Sequence, residues 1–436
     1  QRQMCIRDSP YPYCYSGCDS EARGHEVYPV LFTHPANADK DWAIKKLDPK
    51  ITYFTREWGD NVDDWNSHNS PSRVARNWGE QAMLIQAWHY AAPNYPYTCY
   101  DVLYRTPRQH VGGCLWHSFD HQRGYHPDPF YGGLMDVFRQ PKYSYYMFQA
   151  QRSPKKQDRL FETGPMVYIA HEMTPFSPKD VTVYSNCDEV RLTYNKGGKS
   201  LTYTKPVSRE GMPSPIITFK DVYNFMIDKN MSMKEGRQKE VFLLAEGLIN
   251  GKVVATHKVC PARRPSKLLL WIDNENTELK ADGSDFVTVI AAIADKNGNI
   301  KRLNNYYVKF HIEGEGRILG GANVLANPAP VKWGTAPILV QSTLKPGKIK
   351  ITASVLFEGS QMPVSAELEL ESKPSAYPLI YASEEAALIP MKSDSQSFPI
   401  TAKSQKELEK EKAVKEQNER KLKEVEQQQA DFGEKK

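Results

Sequence analysis

The stretch that decides the fold is residues 50–60, which read KITYFTREWGD. The β-branched and aromatic residues at its start predict a strand over residues 50–55, and this strand leads into Glu57, an aromatic residue and a glycine. In a barrel of parallel strands, residues at the carboxyl ends of the strands point into the active site, so a carboxylate at this place suits attack on a positive centre. Taken alone, an acidic residue beside Arg56 is more often a structural ion pair.

The flanking residues alternate between predicted strands and helices. Strands are predicted near residues 11–16, over residues 26–34 and over residues 112–119, which open with a Gly-Gly pair. Ser70 and Pro71 predict the start of a helix. Apolar residues spaced by three and four positions would form its buried face: Val74, Trp78, Ala82, Ile85 and Trp88. This alternation predicts a parallel α/β sheet or barrel.

The middle of the chain has a different pattern, in which apolar and polar residues alternate within short predicted strands. Asn250-Gly251 between two apolar runs predicts a hairpin, and Arg264-Pro265 predicts a joint between two immunoglobulin-like β-sandwiches. The predicted fold class is therefore multidomain, α/β plus all-β. Its predicted parts are a non-native leader (residues 1–9), a parallel α/β part (residues 10–155), which a family resemblance makes half of a TIM barrel, two β-sandwiches (residues 160–263 and 266–372), and a linker with a charged helical or disordered tail (residues 375–436).

Composition and charge argue against several classes of protein. The 436 residues carry a net charge of only +5, which argues against a protein that coats nucleic acid. Seven scattered cysteines do not suit a disulfide scaffold. The longest nearly apolar run, residues 286–294, is well short of the roughly 20 residues that a membrane-spanning helix needs. We expect no nucleic-acid partner and no membrane span, and we favour a periplasmic or extracellular location.

Several motifs follow one another in an order that resembles the C-terminal half of the catalytic barrel of glycoside hydrolase family 2, the β-galactosidase, β-glucuronidase and β-mannosidase family. The resemblance covers residues 10–153. It is carried by Glu57 with its following aromatic residue and glycine, the GGCLW strand of residues 112–116, Asp120, the Gly133-Leu134 turn and the RQPK stretch of residues 139–142.

The resemblance implies a retaining mechanism, in which two carboxylates about 5 to 5.5 Å apart flank the glycosidic bond. Glu57 matches the nucleophile, and Trp116 matches the aromatic platform beneath the sugar. His117 is a candidate for binding a sugar hydroxyl. Asp60 stands where some galactosidases carry a histidine, and His34 stands on a strand that often supplies a tyrosine to the site.

The chain departs from the family pattern at the acid/base residue, which normally lies in an Asn-Glu motif on the fourth strand. Here Asn-Glu occurs only at residues 274–275 and 418–419, outside the barrel segment. About four barrel strands are predicted, whereas a closed barrel needs eight. We therefore expect a portion of a larger enzyme that lacks its acid/base and hydrolyses glycosides poorly by itself. No cofactor is assigned, and a divalent cation would take its ligands from upstream residues.

The leading hypothesis is a retaining β-glycosidase that acts on oligosaccharides or polysaccharides, with β-galactosides favoured. β-Glucuronidase stays open because Arg139 or Lys142 could meet a carboxylate, and β-mannosidase stays open as a member of the same family. The rival hypothesis is a non-catalytic protein whose sandwiches bind carbohydrate, with Trp271 and Trp333 as stacking platforms. The sequence also leaves a homo-oligomer open.

Overall fold

The structure is a computed structural model, and it shows mostly strands. It describes residues 14–16, 30–33, 52–59, 70–91, 110–122, 129–155, 164–196, 200–207, 212–227, 229, 241–273, 277–356 and 362–376. The predicted leader, and the predicted tail from residue 377 onward, lie outside the described residues. Among the described residues, no helix is long and apolar enough to cross a membrane.

A parallel sheet occupies the N-terminal part. Its strands lie in the order in which they occur along the chain: β1 (Cys14–Ser16), β2 (Val30–Thr33), β3 (Thr52–Trp58) and β4 (His110–Leu115). The predicted parallel arrangement is confirmed for these four strands. β3 is longer than predicted and contains Glu57 near its end, whereas β4 ends before Trp116. Closure of this sheet into half of an eight-stranded barrel stays a prediction.

Helix α1 (Glu80–Ala91) packs against helix α2 (Tyr143–Gln149). Of the residues predicted for its buried face, Val74 is buried and Ala82 partly buried, but the prediction is wrong for the other three. Trp78, Ile85 and Trp88 are exposed. The buried apolar residues of α1 are Met83, Ala87, Tyr90 and Ala91. The prediction failed because the helix begins only at Glu80, after a separate 3₁₀ helix (Arg76–Trp78) and a glycine at positive φ. Val74 and Trp78 therefore do not continue the periodicity of α1.

The first β-sandwich region contains two antiparallel sheets. One sheet consists of β5 (Val167–Ala170), β6 (Val181–Ser185) and β9 (Ile217–Phe219), and the other of β8 (Ser200–Pro206), β7 (Glu189–Lys196), β10 (Val241–Ile249) and β11 (Lys252–Val259). The predicted hairpin is confirmed, since Asn250 and Gly251 both have positive φ and join β10 to β11. Alternate residues such as Val190, Leu192 and Tyr194 are buried between the sheets.

The second β-sandwich region also contains two sheets. One sheet consists of β12 (Lys267–Asp273), β14 (Phe286–Ala294), β18 (Thr335–Ser342) and β16 (Gly316–Ile318). The other consists of β13 (Lys280–Ala281), β20 (Ala366–Pro374), β19 (Gly347–Leu356), β15 (Tyr307–Gly314) and β17 (Ala329–Pro330). Both sheets contribute to one apolar core. The predicted domain boundaries are compatible with this arrangement and stay predictions.

The three parts of the chain meet at a junction, which we define by Arg76, Glu80, Glu172, Arg302 and Thr335. Glu80 of α1 accepts the backbone N–H of Glu172, which follows β5. The Glu172 carboxylate accepts a hydrogen bond from Arg302 Nε at 3.0 Å. Arg76 Nη1 donates to Thr335 Oγ1 at 3.0 Å. The segment that contains α1 is therefore bonded to both sandwich regions.

The two tryptophans of the rival hypothesis differ in exposure. Trp333 is only 9% exposed and packs against Gly79, so its predicted role as a glycan-stacking platform is wrong. Trp271, on β12, is 36% exposed and keeps an accessible ring.

Candidate functional site

The candidate site lies where β3 and β4 end side by side. Trp58, the last residue of β3, pairs with Leu115, the last residue of β4. Parallel neighbours end at the same edge of a sheet. The pairing therefore brings the backbone of Glu57 to the edge from which Trp116 and His117 continue. A carboxylate position and two aromatic residues are thus combined at the carboxyl end of a parallel sheet.

The chain turns directly after β3, at Gly59. This residue has a φ of 95°, which a residue with a side chain rarely adopts. A Cβ atom there would lie 2.6 Å from Leu115 Cδ1 and 2.9 Å from Tyr90 Cε1. The buried His89 of α1 donates its Nε2–H to the carbonyl oxygen of Gly59 at 3.1 Å. Helix α1 therefore fixes the backbone two residues after Glu57.

Four rings form an aromatic cluster beyond the end of β4. Trp116 and His117, whose connecting peptide bond is cis, are half-buried and meet edge to face with 5.5 Å between ring centroids. His117 also contacts His121 at 4.3 Å and Phe130 at 4.9 Å between centroids. The Arg73 guanidinium lies 4.0 Å from the centroid of Phe130. The cluster combines apolar ring faces with imidazole nitrogens, as a sugar-binding surface requires.

A buried ion pair holds the loop behind this cluster. Lys142 Nζ donates to Asp120 Oδ1 at 2.7 Å, and both side chains are buried. The same Asp120 oxygen accepts the Gly133 N–H at 2.9 Å, and Lys142 Nζ also donates to the Tyr131 carbonyl at 2.9 Å. Burial raises the pKa of Asp120 and lowers the pKa of Lys142, while their mutual attraction opposes both shifts.

Close packing also fixes the glycines of this loop. A Cβ atom on Gly133 would lie 2.3 Å from the Asp120 backbone nitrogen, so a side chain would force the two segments apart. The Tyr90 hydroxyl donates to the Gly132 carbonyl oxygen at 2.7 Å. The Gly-Leu turn and the Arg-x-Pro-Lys stretch of the sequence motif therefore support the end of β4 from behind.

The predicted site residues are described to different extents. The structure gives the backbone of Glu57 and the complete Trp116 and His117, and it brings the three positions to one edge. His34 and Asp60 lie outside the described residues. Lys142 was suggested as a partner for a substrate carboxylate, and this suggestion is wrong because its ammonium is buried and bound to Asp120. Arg139 instead binds Asp273 of β12.

The sequence analysis missed several residues that shape this site. His121 and Phe130 complete the aromatic cluster, and His89 holds Gly59. The four-residue spacing of His117 and His121 was a signal for the first of these. Phe130 and His89 carry no local signal, because their partners are distant in sequence. Among the described residues, no group of three His, Cys, Asp or Glu side chains could hold a metal ion.

The fold is similar to that of a solved glycosidase structure. A β-glucuronidase from glycoside hydrolase family 2 superposes with a TM-score of 0.54 at 20% sequence identity, over 82% of this chain and 35% of that structure. At this level of identity the likeness establishes the fold alone. The mostly-β architecture described above therefore corresponds to the C-terminal β-sandwich region of such glycosidases.

Sequence comparisons find similarity to proteins of the same family. Residues 270–356 match the family model for the glycoside hydrolase family 2 C-terminal domain 5. The chain is 32% identical to a β-galactosidase of Thermoanaerobacter pseudethanolicus over 273 residues, which are 61% of this chain and 34% of the relative. It is 28% identical to a β-galactosidase of Bacteroides ovatus over 261 residues, which are 56% of this chain and 27% of the relative.

These matches confirm the resemblance to glycoside hydrolase family 2 that the motifs predicted. The matched part spans about a third of the length of the first of these curated relatives and less of the second. The names of these relatives describe the activity of the whole relatives.

Proposed function

We propose that this chain takes part in the hydrolysis of terminal β-glycosides, with β-galactosides as the favoured substrates. In the proposed reaction, Glu57 attacks the anomeric carbon, the glycosidic oxygen takes a proton from a general acid as its bond to this carbon breaks, and a glycosyl ester of Glu57 forms. Water then cleaves this ester, and the sugar keeps its anomeric configuration. The observation that carries the proposal is the pairing of β3 with β4, which brings the Glu57 position beside Trp116 and His117.

The surroundings of these residues support the proposal. A half-buried indole such as Trp116 offers a face on which the apolar side of a sugar ring can stack. Bonds from α1 and the Asp120–Lys142 pair hold the backbone behind the site, and such rigidity is what catalytic positioning requires. The preference for β-galactosides rests on the names of the two curated relatives.

The retaining mechanism also needs an acid/base carboxylate, and no motif of this chain matches one. Without a group that protonates the departing oxygen, the first step is slow for ordinary glycosides. It stays feasible for an activated substrate whose leaving group departs as a stable anion. This difference allows Glu57 to be tested without the acid/base.

The test uses 2-deoxy-2-fluoro-β-galactosyl fluoride on the folded chain, because fluoride leaves without a proton. The expected result is a mass increase of one fluorosugar on the peptide that contains Glu57, and no increase in Glu57→Gln. A matched control is Glu246→Gln, which removes a carboxylate on β10 that pairs with Arg191. Labelling on another residue, or equal labelling of Glu57→Gln, would contradict the assignment.

The same experiment identifies which sugar configuration the site prefers. Reagents with gluco, manno and glucurono configuration are used in parallel, and the fastest labelling identifies the natural configuration. Absence of labelling by all four reagents would favour the carbohydrate-binding alternative. That alternative then rests on Trp271, and loss of glycan binding in Trp271→Ala would support it.

A further inference from the structure

Arg76 is a buried arginine whose charge has no direct counter-ion. It lies in the 3₁₀ helix before α1 and is 9% exposed. Its Nη1 donates to Thr335 Oγ1 at 3.0 Å and to the Lys332 carbonyl at 3.4 Å. No carboxylate of the described residues lies within 4 Å of the guanidinium, and Nε and Nη2 make no hydrogen bond to the described part of the chain.

A cavity of about 400 Å³ opens beside Arg76, between the α2 segment and the second β-sandwich region. Two further arginines, Arg139 and Arg302, line it, and each already holds a carboxylate. Arg139 Nε lies 3.1 Å from Asp273 Oδ2, and Arg302 Nε donates to Glu172 Oε2 at 3.0 Å. Each of these two arginines is paired directly, whereas the carboxylate that mainly attracts Arg76, Asp136, makes no ion pair with it within 4 Å.

The lack of a direct ion-pair partner for Arg76 has a physical cost. A buried charge without a partner loses hydration that the protein does not replace. Burial, together with repulsion from Arg302, lowers the pKa of Arg76 to about 10, while the more distant Asp136 and Glu172 oppose the shift. Arg76 nevertheless stays protonated at neutral pH, so an anion that enters the cavity could accept hydrogen bonds from a charged guanidinium.

We propose that this cavity binds a small oxyanion, a carboxylate, sulfate or phosphate group, which pairs with the free donors of Arg76. The planar guanidinium presents a fork of N–H groups that matches such oxygens in a bidentate manner. The cavity volume falls in the range of small-molecule sites and exceeds what a bare inorganic anion fills. The rings of Tyr145 and Trp271 also line the cavity, so an acidic sugar fits it as well as an inorganic anion does. The inference does not depend on the proposed glycosidase activity.

The test is isothermal titration calorimetry of the full chain at constant ionic strength. The probes are sodium sulfate, sodium phosphate, glucuronate and galacturonate, with neutral galactose as the uncharged control. We expect at least one oxyanion to bind with a Kd below about 10 mM. Arg76→Met should weaken this binding by about tenfold or more, because charge-assisted hydrogen bonds are lost. Arg191→Met is the matched control, since Arg191 lies on β7 away from the cavity, and it should leave the Kd unchanged.

The results distinguish an acidic sugar, an inorganic anion and the absence of an anion site. Binding of none of the four oxyanions, or equal binding by Arg76→Met, overturns the proposal. Uronates that bind at least tenfold more tightly than sulfate and phosphate identify an acidic sugar, and the reverse order identifies an inorganic anion. Because Arg76 also bonds Thr335, Arg76→Met removes a structural contact as well, so a second measurement uses the unaltered chain. Crystals soaked in selenate should show an anomalous peak beside the Arg76 guanidinium, and a peak only elsewhere refutes the site.

Discussion

Glu80, at the start of α1, provides a quantitative test of the junction. Its side chain is 4% exposed, and it accepts the Glu172 N–H at 3.0 Å and the Ser177 hydroxyl hydrogen. Burial raises the pKa of Glu80 to about 8, although these hydrogen bonds oppose the shift. The carboxyl group is therefore mostly protonated at neutral pH, and the substitution Glu80→Gln mimics this neutral form.

The size of the effect follows from the shift in pKa. Between pH 4.5 and about 8 the folded chain binds more protons than the unfolded chain, so the free energy of unfolding falls as the pH rises through this range. A shift of about 3.5 units corresponds to about 5 kcal/mol at full ionisation. Glutamine does not titrate, its Oε1 accepts the Glu172 N–H, and its Nε2–H donates to the Ser177 hydroxyl oxygen, as the protonated carboxyl O–H would. Glu80→Gln should therefore match the unaltered chain at pH 4.5 and exceed its stability by up to about 5 kcal/mol above pH 8.

The assay is the thermal midpoint, measured by circular dichroism at intervals between pH 4.5 and pH 9. The two curves should coincide at the acidic end and diverge with increasing pH, by on the order of 5–10 °C at pH 8.5. Glu246→Gln, an exchange at a more exposed ion pair, serves as the control and should give a curve parallel to that of the unaltered chain. Parallel curves for Glu80→Gln would refute the reasoning, because they would mean that Glu80 does not exchange its proton in this range.

Two further predictions concern the support of the candidate site. Lys142→Met leaves the buried Asp120 without its cation, so the free energy of unfolding, measured in urea, should fall by about 3–5 kcal/mol. Adding Asp120→Leu to this variant should restore most of that loss. A double variant as unstable as Lys142→Met would contradict this account. His89→Phe removes the N–H that binds Gly59, so the rate of fluorosugar labelling at Glu57 should fall about tenfold in folded protein. Trp88→Phe, at the exposed neighbour, should label at the unaltered rate, and equal rates in both variants would show that the His89 contact does not matter.

The parts of the fold that depend on local pattern were predictable from the sequence. The hairpin at Asn250-Gly251 follows from two residues that tolerate positive φ, and its strands alternate as a half-buried sheet requires. The parallel strands β3 and β4 follow from short apolar runs separated by a helical segment. In these cases neighbouring residues determine the structure, so one sequence is enough.

The buried face of α1 was not predictable in this way. Polar residues occupy buried positions there, because each has a partner from a distant segment. Gln86 donates to the carbonyl oxygen of Ser72 and accepts a hydrogen bond from Ser144, and His89 donates to Gly59. A hydrophobicity pattern treats such residues as exposed, and so it assigned the wrong side of the helix to the core.

In the candidate site, too, features set by neighbouring residues were predictable and contacts between distant residues were not. The strand around Glu57 and the Gly-Gly-x-x-Trp strand were predicted as members of one parallel sheet, and the pairing of β3 with β4 confirms this. The partner of Asp120 lies 22 residues away in sequence, and nothing near Asp120 indicates that Lys142 is this partner. Electrostatic contacts between distant segments depend on the completed fold, and a single sequence does not reveal them.

The junction has a consequence for how this chain can be recombined with others. Glu172 in the first sandwich region contacts Glu80 through its backbone and Arg302 through its side chain, and Arg76 reaches Thr335. A chimaera that exchanges only one of the three parts breaks at least one of these buried contacts. The three parts are therefore expected to be inherited, and to be engineered, as a single cassette.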